Sequence, residues 1–177
     1  MIIVKRHIFI VTTVLVLLCS GFVGKNPQIV HEYELKSATL FKICNYVTWP
    51  APRDDNQTFD IVVIGTPEEI ARFSFPSNKL LNNKAIRLIG LDDYLLIDDC
   101  QVLFICQSKL EEVSQILEFI QDKNILTFSD NEALFEQGVM INFYVDENRV
   151  KFELNPEVIS RSNIKLHSQL YSIGKIK

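Results

Sequence analysis

The chain has 177 residues, 47% of them hydrophobic, and a formal charge of −4. That length favours one domain, and that composition supplies a full core. An acidic chain lacks the basic face that phosphate contacts need, which argues against nucleic-acid binding, and it suits anionic membrane surfaces poorly.

The first residues differ from the rest. Lys5, Arg6 and His7 precede an apolar run, Ile8–Leu18, broken only by two threonines, and the small residues Ser20 and Gly21 follow Cys19. A basic start, a short apolar run and small residues are the pattern of a secretory signal peptide, here residues 1–24. The run is shorter than the roughly 20 residues that span a bilayer, which argues against an uncleaved anchor. A lipoprotein through Cys19 is disfavoured, because Leu18 stands where that signal wants Gly, Ala or Ser. Without Lys5 and Arg6, 16 basic residues face 22 acidic ones, a formal charge of −6. Residues 25–32 read as a polar linker and 33–177 as one folded domain.

The first helix is expected over Glu32–Val47. Tyr33, Leu40, Phe41, Cys44 and Val47 share one face, with Lys36, Lys42 and Asn45 outside it. Pro50 stops the helix and holds Trp49 extended, so that the ring swings back against the body of the protein. A loop, 50–58, leads to an apolar β-branched run, Phe59–Gly65, which reads as a buried strand. Thr66, Pro67 and Glu69 then carry the signature of a capped helix start. Lys84–Gly90 is a further strand. Val102–Gln107 is a strand followed by Ser108 and Glu111, and Asn124–Phe128 is a strand followed by Ser129 and Glu132. A strand leading into a capped helix, three times over, predicts an open α/β sheet with right-handed crossovers.

Between the last two strands lies the clearest helix, Leu110–Lys123. Its apolar stripe is Leu110, Val113, Ile116, Leu117 and Ile120. Gly138–Val145 and Arg149–Asn155 flank Asp146, Glu147 and Asn148 as an antiparallel hairpin. Asn155 and Pro156 start a helical turn, and a last helix covers Ser168–Ile176. The fold class is therefore a single α/β domain: an open mixed sheet, helices on both faces and a C-terminal antiparallel hairpin.

The chemistry points away from catalysis. His31 and His167 have no Cys or His at ligand spacing, so no metal site is expected. No serine lies in a nucleophile elbow, and the six glycines form no phosphate loop, so no cofactor is expected either. Asp92–Asp93 and Asp98–Asp99 are adjacent acids in polar loops, which read as solvated surface. Cys44, Cys100 and Cys106 remain after export, an odd number that permits at most one internal disulfide. Cys44 and Cys106 sit in apolar patterns and read as buried thiols. Cys100, beside two aspartates at a strand entrance, is the thiol placed to react or pair.

Two surfaces remain. The carboxyl ends of an open sheet border a crevice, and here its rim would carry Thr66, Ser108, Ser129 and Asp130. Their N–H groups can receive a small polar ligand, or the residues only cap helices. At the end of the first helix, Tyr46, Trp49 and Pro50 offer a partner or dimer surface, or the helix only covers the sheet.

Four segments carry a family likeness: YELKSATLFKICNYVTWP, FDIVVIG, DDCQVLFICQS, and the tail from Ile125 to Ile176. The combination of a Trp–Pro helix end, Cys before an apolar strand, G-x-M-I-N-F and R-V-x-F-E-x-N resembles the YfiR family of exported bacterial regulators. The resemblance implies a periplasmic domain with no enzymatic activity. It implies homodimers that bind and repress the periplasmic part of a membrane signalling protein such as a diguanylate cyclase or a sensor kinase. Lower cyclic-di-GMP and less biofilm would follow. A sensor for a small ligand, using the strand-end crevice, is the alternative. Well-known members use disulfides. Cys100 matches a family cysteine, but Ile61–Ile64 holds no partner for it, and a Cys44–Cys100 bond would be a different one.

Overall fold

The computed structural model describes residues 27–50, 57–75 and 79–177, so the signal peptide expected at 1–24 and most of the loop at 50–58 lie outside the described residues. Helix α1, Pro27–Cys44, is followed by a two-residue strand, β1, Val47–Thr48. The helix thus starts inside the stretch read as a linker at 25–32, and it ends three residues before Val47. Proline is well placed to start a helix, because its missing N–H would be unpaired there in any case. Strand β2, Thr58–Ile64, follows, then a one-turn helix, α2, Pro67–Ile70, and the hairpin strands β3, Leu80–Leu81, and β4, Lys84–Leu91. Asn82 and Asn83 take positive φ of 50° and 62° in the tight turn between these last two.

The rest of the chain alternates. A single 3-10 turn, Tyr94–Leu96, links β4 to β5, Val102–Ile105. Helix α3, Val113–Ile120, precedes β6, Leu126–Ser129, and α4, Glu132–Glu136, precedes β7, Ile141–Asp146. Strand β8 is Arg149–Leu154, α5 is Pro156–Arg161, β9 is Lys165–Leu166, α6 is Ser168–Ile173 and β10 is Lys175–Ile176. The last helix stops short of the expected Ile176, because Lys175 and Ile176 pair with β8 instead.

The described strands make one eight-stranded sheet in the order β10-β8-β7-β6-β5-β2-β4-β3. Neighbours from β4 through β7 run parallel, and β7–β8 is the expected antiparallel hairpin. Its turn residues Glu147 and Asn148 carry φ of 47° and 62°. A separate antiparallel pair joins β1 to β9, Val47 opposite Leu166. The fold is thus a single mixed α/β domain, with helices on both faces.

Side chains alternate across the sheet. Phe59, Ile61, Val63, Phe104 and Phe128 pack on one face against Leu40, Ile43 and Cys44 of α1. Val62, Ile64, Leu103 and Ile105 pack on the other against Val113, Ile116 and Ile120 of α3. The α1 stripe is buried at Leu40, Cys44 and Val47, with Tyr33 and Phe41 partly covered.

Candidate functional site

The strand order reverses direction between β2 and β5, and the crevice beyond their carboxyl ends is where such sheets commonly hold ligands. Here the chain's own carboxylate fills it. Glu69 Oε2 accepts from Thr66 N at 2.9 Å and from the Ser108 hydroxyl at 2.5 Å, and Oε1 accepts from Ser108 N at 3.3 Å. Thr66 completes the capping box, its hydroxyl accepting from Glu69 N at 3.3 Å. Gly65 makes room for this, since a Cβ there would lie 2.7 Å from both Glu69 Oε2 and Cys106 Cβ. Partial burial pushes the Glu69 carboxyl up in pKa, but the hydrogen bonds from Ser108 and Thr66 outweigh it and hold the group below the usual carboxylate range.

Ser108 therefore does not cap a helix. The turn that follows β5, Gln107–Lys109, has Cys106 at its N-cap with no side-chain hydrogen bond. The serine hydroxyl is instead drawn to Glu69, across 39 residues of sequence.

Asp130 sits at the same end of the sheet, in a second network. It accepts from the Tyr33 hydroxyl at 2.7 Å and from Lys36 Nζ at 2.7 Å. Lys36 Nζ also lies 2.5 Å from Glu32 and 4.4 Å from the centre of the Tyr33 ring. The Arg72 guanidinium stands over the same ring at 5.4 Å. Burial, then the charge of Asp130, pushes the Tyr33 phenol well above its ordinary pKa. Lys36 lies outside the apolar stripe read from the sequence, yet it is only 4% exposed. The signal was present in the spacing, since Lys36, Leu40 and Cys44 follow one another at four-residue intervals along the buried row.

Ser129 turns away from both networks. It is fully buried and donates to Asn142 Oδ1 at 2.7 Å. Asn142 Nδ2 donates to Glu153 Oε1 at 3.0 Å, and Lys175 Nζ lies 3.6 Å from Glu153 Oε2. Strand register explains this row: Ser129 is opposite Asn142, Asn142 opposite Glu153, and Glu153 opposite Lys175. A polar ladder thus crosses β6, β7, β8 and β10. The cap of α4 is Asn131, whose Oδ1 accepts from Ala133 N and Leu134 N. Ser129 was expected in that role. Of the four rim residues, then, Thr66 and Ser108 meet through Glu69, while Asp130 and Ser129 belong to separate networks.

At the end of α1, Trp49 is partly buried. Its ring meets Phe59 edge-on at 5.2 Å, and its indole N–H donates to the Gln101 carbonyl at 3.2 Å. Tyr46 is 40% exposed, with its ring 6.2 Å from that of His167, and its carbonyl accepts from His167 N. Pro50 is half-buried beside them.

Among the described residues Cys44, Cys100 and Cys106 are free thiols, and all three are buried. Cys44 packs with α1 on one face of the sheet, and Cys100 packs with Val62 and Leu103 on the other. The sheet between them rules out the Cys44–Cys100 bond in this structure. Burial raises the Cys100 pKa to about 12 and drives those of Cys44 and Cys106 upward as well. Among the described residues no three His, Cys, Asp or Glu side chains converge as metal ligands, and no helix is long and apolar enough to cross a membrane.

No curated protein matches the chain. A family model described as YfiR/HmsC-like matches residues 33–175, nearly all of the domain, and the chain belongs to that family. The family is one of periplasmic regulators, and it points to a role in diguanylate cyclase signalling.

Proposed function

We propose that this member of the YfiR/HmsC-like family is exported with residues 1–24 removed and binds the periplasmic part of a membrane signalling protein. It represses that protein, a diguanylate cyclase or a sensor kinase, and catalyses no reaction itself. The observation that carries the reading is the family match over residues 33–175. The geometry agrees with it. The polar groups at the strand ends are engaged by Glu69, Tyr33 and Lys36, and the described thiols are buried and protonated at neutral pH. Tyr46, Trp49 and Pro50 belong to this reading as a partner or homodimer surface.

Deleting the gene tests the proposal. Cyclic-di-GMP and biofilm should rise, and the exported chain supplied in trans should lower both. Chemical cross-linking in the intact envelope should join the tagged chain to one membrane cyclase or kinase. Unchanged cyclic-di-GMP together with cross-links only between copies of the chain would overturn it.

A further inference from the structure

The sheet is incompletely covered at its β4 end. Parallel strands are usually covered on both faces by crossover helices. The β4–β5 connection supplies only the 3-10 turn Tyr94–Leu96. Leu95 and Leu96 there are 62% and 61% exposed. Beside Leu96 lies a cavity of about 300 Å³, walled by apolar residues such as Val62, Ile89 and Leu91 and by the charged Asp60, Arg87, Asp98 and Asp99, of which Arg87 neutralises Asp60.

Among the described residues the outer edge of β4 is also open. Strand β3 pairs only with Lys84 and Ala85. The Leu91 carbonyl accepts from Gly65 N at 3.0 Å, so Leu91 turns its main chain toward β2. By the two-residue alternation of a parallel ladder, Ile89 and Arg87 do the same, and Ile86, Leu88 and Gly90 point their N–H and C=O groups outward. Among the described residues no strand pairs with those three. Such an edge is a template for another strand.

Charge selects the occupant. Asp60 is held by Arg87 through two hydrogen bonds, of 2.8 and 2.5 Å. Asp98 and Asp99 line the same cavity and make no ion pair among the described residues. A second copy would set like charges against each other, whereas a cationic segment would be drawn in.

We propose that the open edge of β4, with Leu95, Leu96 and the acid-lined cavity beside it, docks an extended apolar segment of a partner protein. The segment adds to β4 as a strand and directs a lysine or arginine toward Asp98 and Asp99. This rests on the reading above that the chain acts by binding protein, and it adds a contact on β4 to the surface offered by the Tyr46–Trp49 corner.

The probe is a peptide of about ten residues alternating valine with lysine, against a valine–glutamate peptide of equal length, titrated into the exported chain. The lysine peptide should bind at least about tenfold more tightly, weaken with salt, and slow exchange of the Ile86, Leu88 and Gly90 amides. The charge reversals Asp98→Lys and Asp99→Lys, both at exposed positions, should reverse the preference without lowering Tm. Equal binding of the two peptides, protection elsewhere, or a homodimer formed through this edge would overturn the proposal.

A cell assay then separates the two readings. If deletion raises cyclic-di-GMP while Leu95→Ser, Leu96→Ser, Asp98→Lys and Asp99→Lys combined leave it at wild-type level, this site is wrong and the regulator reading stands. If deletion itself changes nothing, the regulator reading fails, and the peptide titration alone decides the site.

Discussion

Lys36 on α1 and Asp130 just after β6 stand 94 positions apart in sequence, yet Nζ and Oδ2 meet at 2.7 Å. Their side chains are only 5% and 10% exposed. The pair ties the opening helix to the end of a central strand, with Tyr33 donating to the same carboxylate oxygen. Removing one partner of a buried pair leaves the other charge uncompensated. Lys36→Ala should therefore cost about 3–5 kcal/mol in urea unfolding. A loss below about 1 kcal/mol would show that Asp130 is solvated instead.

Asn142 is the centre of the polar ladder, since it accepts from Ser129 and donates to Glu153. Asn142→Leu strands two buried groups at once and should destabilise by about 2–3 kcal/mol. Glu153→Gln keeps an acceptor in place and should cost distinctly less. Equal losses in the two variants, measured by chemical denaturation, would refute the ladder as a unit.

Acid should unfold the protein in a defined direction. Burial raises the pKa of Asp60, but its hydrogen bonds from Arg87 and Thr58 prevail and depress it, and Glu69 is depressed likewise. The unfolded chain thus takes up these protons at a higher pH than the folded one. The stability they contribute is present above the unfolded values of about 4 and is lost as pH falls through the folded ones. Tm should decline steeply below pH 4, and the slope should flatten in a combined Asp60→Asn, Glu69→Gln variant. An unchanged slope in that variant would assign the acid lability to other groups.

Cys44, Cys100 and Cys106 are buried, unpaired and protonated at neutral pH. A disulfide reagent at pH 8 should label them slowly in the native state and rapidly in urea. A reductant should leave Tm unchanged. A drop in Tm under reduction would demonstrate a disulfide that this structure does not contain.

Trp49 and Tyr46 should separate folding from binding. Trp49 is fastened to Phe59 and to the Gln101 carbonyl, so Trp49→Ala should cost about 2–3 kcal/mol of stability. Tyr46 is 40% exposed, and Tyr46→Ala should change stability by no more than about 0.5 kcal/mol. Weakened envelope cross-linking in Tyr46→Ala, with Tm intact, would mark this corner as a contact surface. Full cross-linking would confine the corner to a structural role.

Much of the fold was legible from local patterns, because those patterns reflect forces that act between near neighbours. The β-branched run Phe59–Gly65, the stripe from Leu110 to Ile120, the Thr66–Glu69 capping box and the Asp146–Asn148 turn each state their own structure through side-chain period or cap chemistry. The same patterns located the strand ends and Trp49. What they left open was which polar side chain meets which. Lys36 reads as a solvated lysine until Asp130 arrives from 94 residues away to neutralise it. Ser108 reads as a cap until the strand order brings Glu69 beside it. Asn142 and Glu153 read as misplaced polar residues in apolar strands until register sets them opposite each other. The open edge of β4 likewise exists only because β3 is two residues long and the β4–β5 link is a single turn. Local sequence determined most of the strands and helices and the Thr66–Glu69 capping box. Tertiary structure alone decided the pairing of buried charges and the strand edge left free, since a buried polar group is stable only where a distant segment supplies its partner.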